Sequence, residues 1–95
     1  MIKYDIFQTV RGWAGVVFNE KGLIRLALPG EDRETIQAEL GIQANWQEVS
    51  GTRYAEEICR YFNGEKVNLD LPIDWSWCTP FQEKVLRFVK EIPYG

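Results

Sequence analysis

The sequence contains no histidine, only two cysteines and no long apolar run. Without histidine, a zinc site would have to combine carboxylates with Cys59 and Cys78, and neither cysteine has a CxxC partner. We therefore expect two reduced thiols in a cytoplasmic protein, with no metal and no cofactor. A transmembrane helix needs about 18 or more apolar residues in succession, so no membrane partner is expected.

Positive charge is also scarce. The chain of 95 residues has 11 Lys and Arg against 14 Asp and Glu, a formal net charge of −3. Phosphate binding needs clustered Lys and Arg, so this stretch is not expected to form a nucleic-acid surface. The length suits one compact domain, and 45% apolar with 26% charged residues is ordinary for a globular protein.

Three short apolar segments, separated by turn residues, open the chain. We predict strands over residues 2–10, 13–18 and 23–28, joined by short turns into an antiparallel meander that ends at Pro29-Gly30. Alternation places two apolar sets on single faces of their strands: Ile2, Tyr4, Ile6 and Val10, and Ile24, Leu26 and Leu28.

Two helices and a further strand are predicted next, which gives a mixed α/β (α+β) fold. The first helix covers residues 31–40, with an acidic first turn and Gly41 to stop it. Residues 42–50 are predicted to be a loop anchored by Trp46. The second helix runs from about residue 52 to 63, with Gly64 as a left-handed cap. Residues 67–71 alternate as a strand that Pro72 closes. The apolar face of the second helix consists of Tyr54, Ile58, Tyr61 and Phe62.

The chain closes with one extra amphipathic helix. Thr79 and Gln82 form a capping box, Pro80 occupies the first helical position, and Pro93 ends the helix. Its apolar face contains Phe81, Val85, Phe88, Val89 and Ile92. Two interpretations stay open: a closing helix that packs on its own domain, or the first element of another domain after a connector.

These closing motifs resemble a known family. The segment TPFQEKVLRFVKEIPYG looks like the start of the catalytic domain of the methylated-DNA–protein-cysteine methyltransferases, the O6-alkylguanine-DNA alkyltransferases. The upstream segments YFNGE and LPID resemble motifs that precede that domain in the family. The family-motif positions in the closing segment are Thr79, Pro80, Phe81, Gln82, Ile92, Pro93 and Gly95.

The resemblance implies a ribonuclease H-like amino-terminal domain at residues 1–74, followed at 75–95 by a connector and the first helix of a truncated catalytic domain. Such a domain is a scaffold in a DNA-repair protein that moves alkyl groups from O6-alkylguanine to its own cysteine. The family's Pro-Cys-His-Arg segment is not in this sequence, so no catalytic residue is expected in it. The implied partners are the protein's own catalytic domain, DNA through that domain, and a second copy through the closing helix.

Two functions of other classes stay open. One is a non-enzymatic interaction module that binds a partner with its exposed helix. The other is a metal nuclease of the ribonuclease H type, which would bring several carboxylates around Mg²⁺. The carboxylates available for it are Asp5 and Asp70, with Glu34 or Glu56 as further ligands.

Four residues invite a chemical role that their sequence neighbours do not favour. Cys78 has no cationic neighbour in the sequence to activate its thiol, and Cys59 belongs to an amphipathic helix. Trp75 and Trp77 lack the basic neighbours of a base-stacking pair, so we expect them to pack the connector onto the domain.

Overall fold

The computed structural model describes residues 1–65, 72–74 and 76. Strand β1 spans Lys3–Thr9, β2 spans Gly12–Asn19 and β3 spans Gly22–Gly30, so the predicted meander is confirmed. Antiparallel pairing places Tyr4 opposite Val17 and Thr9 opposite Gly12. The predicted strand beyond β3, at residues 67–71, lies outside the described residues.

Strand β3 departs from the predicted alternation because it contains a β-bulge. Val17 pairs with Arg25 and Phe18 with Leu23, which leaves Ile24 as an extra residue. Ile24 and Leu26 therefore belong to different core clusters, and the prediction that they share one face is wrong. The meander ends at Gly30 as predicted, but β3 runs beyond the predicted residue 28 because a second irregularity lets Gly30 pair with Trp13.

Helix α1 spans Arg33–Leu40, slightly shorter than predicted. Asp32 caps it by accepting a 2.8 Å hydrogen bond from the Thr35 N–H. Gly41 ends it with φ at +63°, as predicted from its position. Ile36 and Leu40 are fully buried against the sheet.

Helix α1 packs where β2 has no side chain. A Cβ on Gly15 would lie 2.7 Å from atoms of both Ile36 and Leu40. The helix therefore packs directly on the β2 backbone. Around this contact lies one of the two core clusters that the described residues form, whose buried members are Ile6, Val17, Ile24, Ala27, Ile36 and Leu40.

Strand β4, Gln47–Glu48, was not predicted. It pairs in parallel with Lys3 and Tyr4 of β1, within a segment expected to be loop. Two hydrogen bonds hold it: Gln47 N–H to the Ile2 carbonyl at 3.1 Å, and Val49 N–H to the Tyr4 carbonyl at 2.9 Å. Trp46 does anchor the segment, since it packs on the α1 cluster and the Arg25 guanidinium lies 5.3 Å from its ring centroid.

Helix α2, Arg53–Phe62, covers the other face of the sheet. Its predicted apolar face is confirmed: Ile58 is buried with Val16, Leu23 and Leu26, and its aromatic residues pack around them. Gly64, with φ at +85°, follows the helix end as predicted. The described strands form one sheet in the order β3-β2-β1-β4 with a helix on each face, which confirms a mixed α/β fold.

Candidate functional site

The candidate site is the edge of β3, where the chain returns after α2. Residues 72–74, which together with Ser76 are called the connector from here on, lie beside Leu23 in parallel orientation. The Leu23 N–H donates to the Pro72 carbonyl at 2.9 Å, and the Asp74 N–H donates to the Leu23 carbonyl at 2.8 Å. This pair of bonds fixes both the register and the direction of the connector. We call this arrangement, with Asn19 and Ser76, the connector anchor.

Gly22 makes the anchor sterically feasible. Its φ of +145° is a backbone conformation that L side chains rarely adopt. A Cβ at this position would lie 2.5 Å from the Pro72 carbonyl oxygen and 2.9 Å from the Ile73 nitrogen. Because those neighbours are backbone atoms, they cannot rotate away. The close approach of the connector therefore requires glycine here.

Asn19 joins the β2–β3 turn to the connector. Its Oδ1 accepts hydrogen bonds from the Lys21 N–H at 2.8 Å and the Gly22 N–H at 3.1 Å. Its Nδ2 donates to Oδ2 of Asp74 at 2.9 Å, across 55 residues of sequence. The Asn19 side chain thus accepts hydrogen bonds from the β2–β3 turn through its oxygen and donates one to the connector through its nitrogen.

Asp74 is the acceptor at the centre of the anchor. Only 9% of this residue is exposed. Its Oδ1 accepts from the Ser76 hydroxyl at 2.6 Å and from the Ser76 N–H at 3.1 Å. The hydrogen bond from Asn19, followed by those from Ser76, lowers the pKa of the Asp74 carboxyl, and nearby Lys21 acts in the same direction. The carboxylate is therefore held in the ionised form that accepts all of these bonds.

A shallow cleft of about 290 Å³ borders the anchor. Charges of both signs surround it, because Glu20, Lys21 and the amino terminus lie beside Asp74. The amino group of Met1 is 3.8 Å from Glu20 in an exposed ion pair. This mixed lining indicates no single class of small ligand, so the feature of interest here is the anchor itself.

Asp5, considered above as a nuclease ligand, has a structural role in the described part of the chain. It is 1% exposed and faces the start of α2. Its Oδ2 accepts from the Thr52 hydroxyl at 2.6 Å and from the Thr52 N–H at 3.2 Å. Thr52 is the α2 N-cap, and its hydroxyl oxygen accepts from the Ala55 N–H at 3.1 Å. Asp5 thus supports the helix cap.

Glu34 and Glu56, the proposed nuclease ligands that the structure describes, do not join Asp5. Glu34 belongs to α1, on the opposite face of the sheet, and Glu56 is exposed on α2 at 3.5 Å from Arg60. Within the described residues, no group of three or more Cys, Asp and Glu side chains could hold a metal ion. Asp70 lies outside the described residues.

Cys59 is a free thiol on α2. Its Sγ donates to the Gln8 carbonyl at 3.7 Å. Burial raises the pKa of the Cys59 thiol, and the nearby negative charge of Asp5 raises it further. Both effects disfavour the thiolate, which is the reactive form. The predicted packing role agrees with this environment.

The remaining predicted residues lie outside the described part of the structure. They are Trp75, Trp77 and Cys78, together with the closing motif of Thr79, Pro80, Phe81, Gln82, Ile92, Pro93 and Gly95. Sequence analysis had assigned Asn19 to a turn and Asp74 to a motif, without connecting them. In the described ranges, no helix is both long and apolar enough to span a membrane.

Comparison with known proteins gives two findings. The sequence model of the family described as "6-O-methylguanine DNA methyltransferase, ribonuclease-like domain" matches residues 2–75. The chain is also 31% identical, over 99 aligned positions, to the constitutive methylated-DNA–protein-cysteine methyltransferase of Bacillus subtilis (strain 168). That alignment covers 97% of this chain and 55% of the relative, so the chain spans about half the relative's length.

Proposed function

We propose a scaffold function for this chain from one premise: it belongs to the 6-O-methylguanine DNA methyltransferase family, as its amino-terminal, ribonuclease-like domain. In the proposal, residues 1–74 form a ribonuclease H-like domain that holds and stiffens a catalytic domain beginning in residues 75–95. The whole protein would repair DNA in the cytoplasm by moving alkyl groups from O6-alkylguanine to its own cysteine. The family model's own description supports the ribonuclease H-like assignment.

The connector anchor is the observation that carries this proposal. A flexible linker between two domains would not need backbone hydrogen bonds to β3 or a side-chain hydrogen bond from Asn19 to Asp74. It would also not need Gly22, which allows the backbone of Pro72 to lie close to β3. Here the chain is fixed at Pro72, Asp74 and Ser76, on both sides of the proposed domain boundary between residues 74 and 75. Such an attachment defines where the next segment starts, which is what a scaffold has to do.

DNA is a partner of this chain only through the proposed catalytic domain. The net charge of −3 gives the chain no excess of cations with which to displace counterions from DNA. Among the described groups, Arg33, Arg53 and Arg60 are paired with Glu48, Glu57 and Glu56. The chain on its own is expected to bind duplex DNA no better than about 10⁻⁴ M at physiological salt.

The closing helix predicted over 79–92 completes the proposal. Its apolar residues are expected to pack inside the catalytic domain. In the 95-residue chain, the same helix is expected to fray or to pair with a second copy. Sedimentation and amide hydrogen exchange test this together. A strict monomer in which residues 85–92 exchange as slowly as β2 would instead make the helix part of this domain.

A chimera tests the scaffold function. This chain would replace the aligned amino-terminal part of the Bacillus subtilis relative, and intact mass would follow methyl transfer from DNA containing O6-methylguanine. We expect the chimera to gain one methyl group and to melt at a higher temperature than the relative's remaining part alone. This chain alone is expected to gain none.

Two results would contradict the proposal. A chimera that melts and reacts no better than the relative's remaining part would show that this chain does not act as a scaffold. Methylation of Cys59 or Cys78 in the isolated chain, at the chimera's rate, would show that the acceptor is in this sequence.

A further inference from the structure

We propose that Asn19 is the positioning residue of the connector, and that its amide makes the connector anchor a releasable latch. The latch is closed while residue 19 donates a hydrogen bond and residue 74 is an ionised acceptor. The consequence for the chain beyond Ser76 rests on the proposed scaffold function. The latch itself is a property of the 95-residue chain and can be measured there.

The first step of the argument is the division of labour within the Asn19 side chain. Its oxygen is occupied by two N–H groups of its own turn, at 2.8 and 3.1 Å. Its nitrogen then points to Asp74 at 2.9 Å. Because an amide has its donor and acceptor on opposite sides of one planar group, the turn bonds orient the donor. The fold of the turn therefore decides where Asp74 must lie.

The second step is that Asp74 transmits this position along the chain. One carboxylate oxygen faces Asn19, and the other accepts from the N–H and the hydroxyl of Ser76. The same residue's own N–H is bonded to the Leu23 carbonyl. Asp74 is thus fixed at its backbone and at both carboxylate oxygens. The position of Ser76 therefore follows from the orientation of this carboxylate.

The third step concerns charge. Hydrogen bonds to a carboxylate are stronger than those between neutral groups. If a carboxylate replaced the Asn19 amide, the attraction between the Asn19 N–H and the Asp74 carboxylate would become a repulsion between two negative charges. Water would screen this repulsion little, because Asp74 is only 9% exposed. The other charged groups described at this corner are Lys21, Glu20 and the amino terminus of Met1. Glu20 and Met1 form an ion pair with each other, and Lys21 is a described cation that acts on Asp74.

The variant Asn19→Asp tests the latch, because it separates the two roles of the side chain. Aspartate still accepts from the Lys21 and Gly22 N–H groups but cannot donate to Asp74 at neutral pH. Amide hydrogen exchange at pH 7 should show protection of the Asp74 and Ser76 N–H groups falling by roughly tenfold to a hundredfold. Protection of the Gly22 N–H should stay at its wild-type value.

The control is Asn45→Asp, which makes the same charge change at an exposed loop position. It should leave protection of the connector amides unchanged. The double variant Asn19→Asp with Asp74→Asn reverses the pair, so that residue 74 donates and residue 19 accepts. The new amide at position 74 would still accept from Ser76 through its oxygen. The double variant should therefore recover most of the lost protection, which a general loss of stability would not allow.

Wild-type protection of Asp74 and Ser76 in Asn19→Asp would overturn the proposal, as would a double variant no better protected than Asn19→Asp alone. Loss of protection throughout β1 and β2 would also overturn it, because Asn19 would then be a general stability residue. These outcomes are independent of the chimera. Suppose that Asn19→Asp removes connector protection in the chimera and methyl transfer stays normal. This result would refute the scaffold function, while the proposal about Asn19 and Asp74 would still stand.

Discussion

The hydroxyl of Thr52 donates a 2.6 Å hydrogen bond to the carboxylate of Asp5, although 47 residues separate them in sequence. A residue of the first strand therefore supports the first turn of the last described helix. The negative charge also lies at the helix N-terminus, where the helix dipole favours it. The same carboxylate would have been the first metal ligand of a nuclease, so its use in capping bears on function as well as on folding.

Replacing Asp5 with Asn should lower the free energy of unfolding by about 1–3 kcal/mol, because the bonds from Thr52 lose their charge assistance and an amide N–H group is placed in a buried site. The matched control is Asp32→Asn, the same change at the exposed cap of α1, where asparagine caps as well as aspartate. Urea unfolding of both variants measures the difference. If both variants lost the same free energy of unfolding, the burial of Asp5 beside Thr52 would make no extra contribution to stability.

Replacing Gly22 with Ala should destabilise the chain more than the same change at Gly51. Both glycines have positive φ, at +145° and +68°, so both substitutions strain the backbone by about 1–3 kcal/mol. Only at Gly22 would the new Cβ also meet the backbone of Pro72. Urea midpoints should therefore fall further for Gly22→Ala, with loss of exchange protection at the Asp74 N–H. Similar midpoints for the two variants would argue against steric contact at the anchor.

Acidification should weaken the fold through Asp74. Its hydrogen bonds lower the pKa of the folded carboxyl below the ordinary value of 3.8. The stabilisation is therefore fully present above the unfolded value and is lost as the pH falls through the folded one. Unfolding measured between pH 7 and pH 3 should show stability falling below about pH 4.

The variants Asp74→Asn and Asp32→Asn separate two contributions to this acid slope. The N–H of Thr35 lowers the pKa of Asp32 as well, so both groups act in the same direction. Each substitution should flatten the slope in part. An unchanged slope in Asp74→Asn would mean that its hydrogen bonds are not retained in solution.

Cys59 should react slowly with iodoacetamide at neutral pH, because burial and Asp5 raise the pKa of its thiol. The rate should be well below that of glutathione under the same conditions and should rise when urea unfolds α2. Asp5→Asn should speed the reaction in the folded chain by removing the nearby negative charge. Peptide mapping distinguishes Cys59 from Cys78. A rate equal to that of glutathione at Cys59 would contradict this prediction.

Sequence analysis predicted the features that depend on neighbouring residues. Gly41 and Gly64 have the left-handed conformations expected at helix ends, and α2 begins at Arg53, one residue after its predicted start. The alternation of β1 is also correct at Ile6, which is buried on the α1 face. Such features are decided within a few residues of chain, so a single sequence contains the information for them.

The features that it missed depend on a partner far away in sequence. Ile24 bulges because of how β3 pairs with β2, and an alternating segment cannot show such a shift. Gln47 and Glu48 form a strand only because the edge of β1 is free to accept them. Asn19 is the last residue of β2, paired with Gly22, and is not part of the turn as predicted; nothing near it in the sequence indicates Asp74.

The parallel pairing of Ile73 with Leu23 also has a consequence for aggregation. An uncovered edge strand offers free N–H and C=O groups to other chains, and proteins commonly cover or shorten such edges. On the β3 side, the connector occupies the N–H and C=O of Leu23. On the β4 side, the described edge is only two residues long, and its Glu48 is paired with Arg33. If the connector detached, the N–H and C=O of Leu23 would become available to another chain. A concentrated solution of Asn19→Asp should therefore aggregate sooner than one of the wild type.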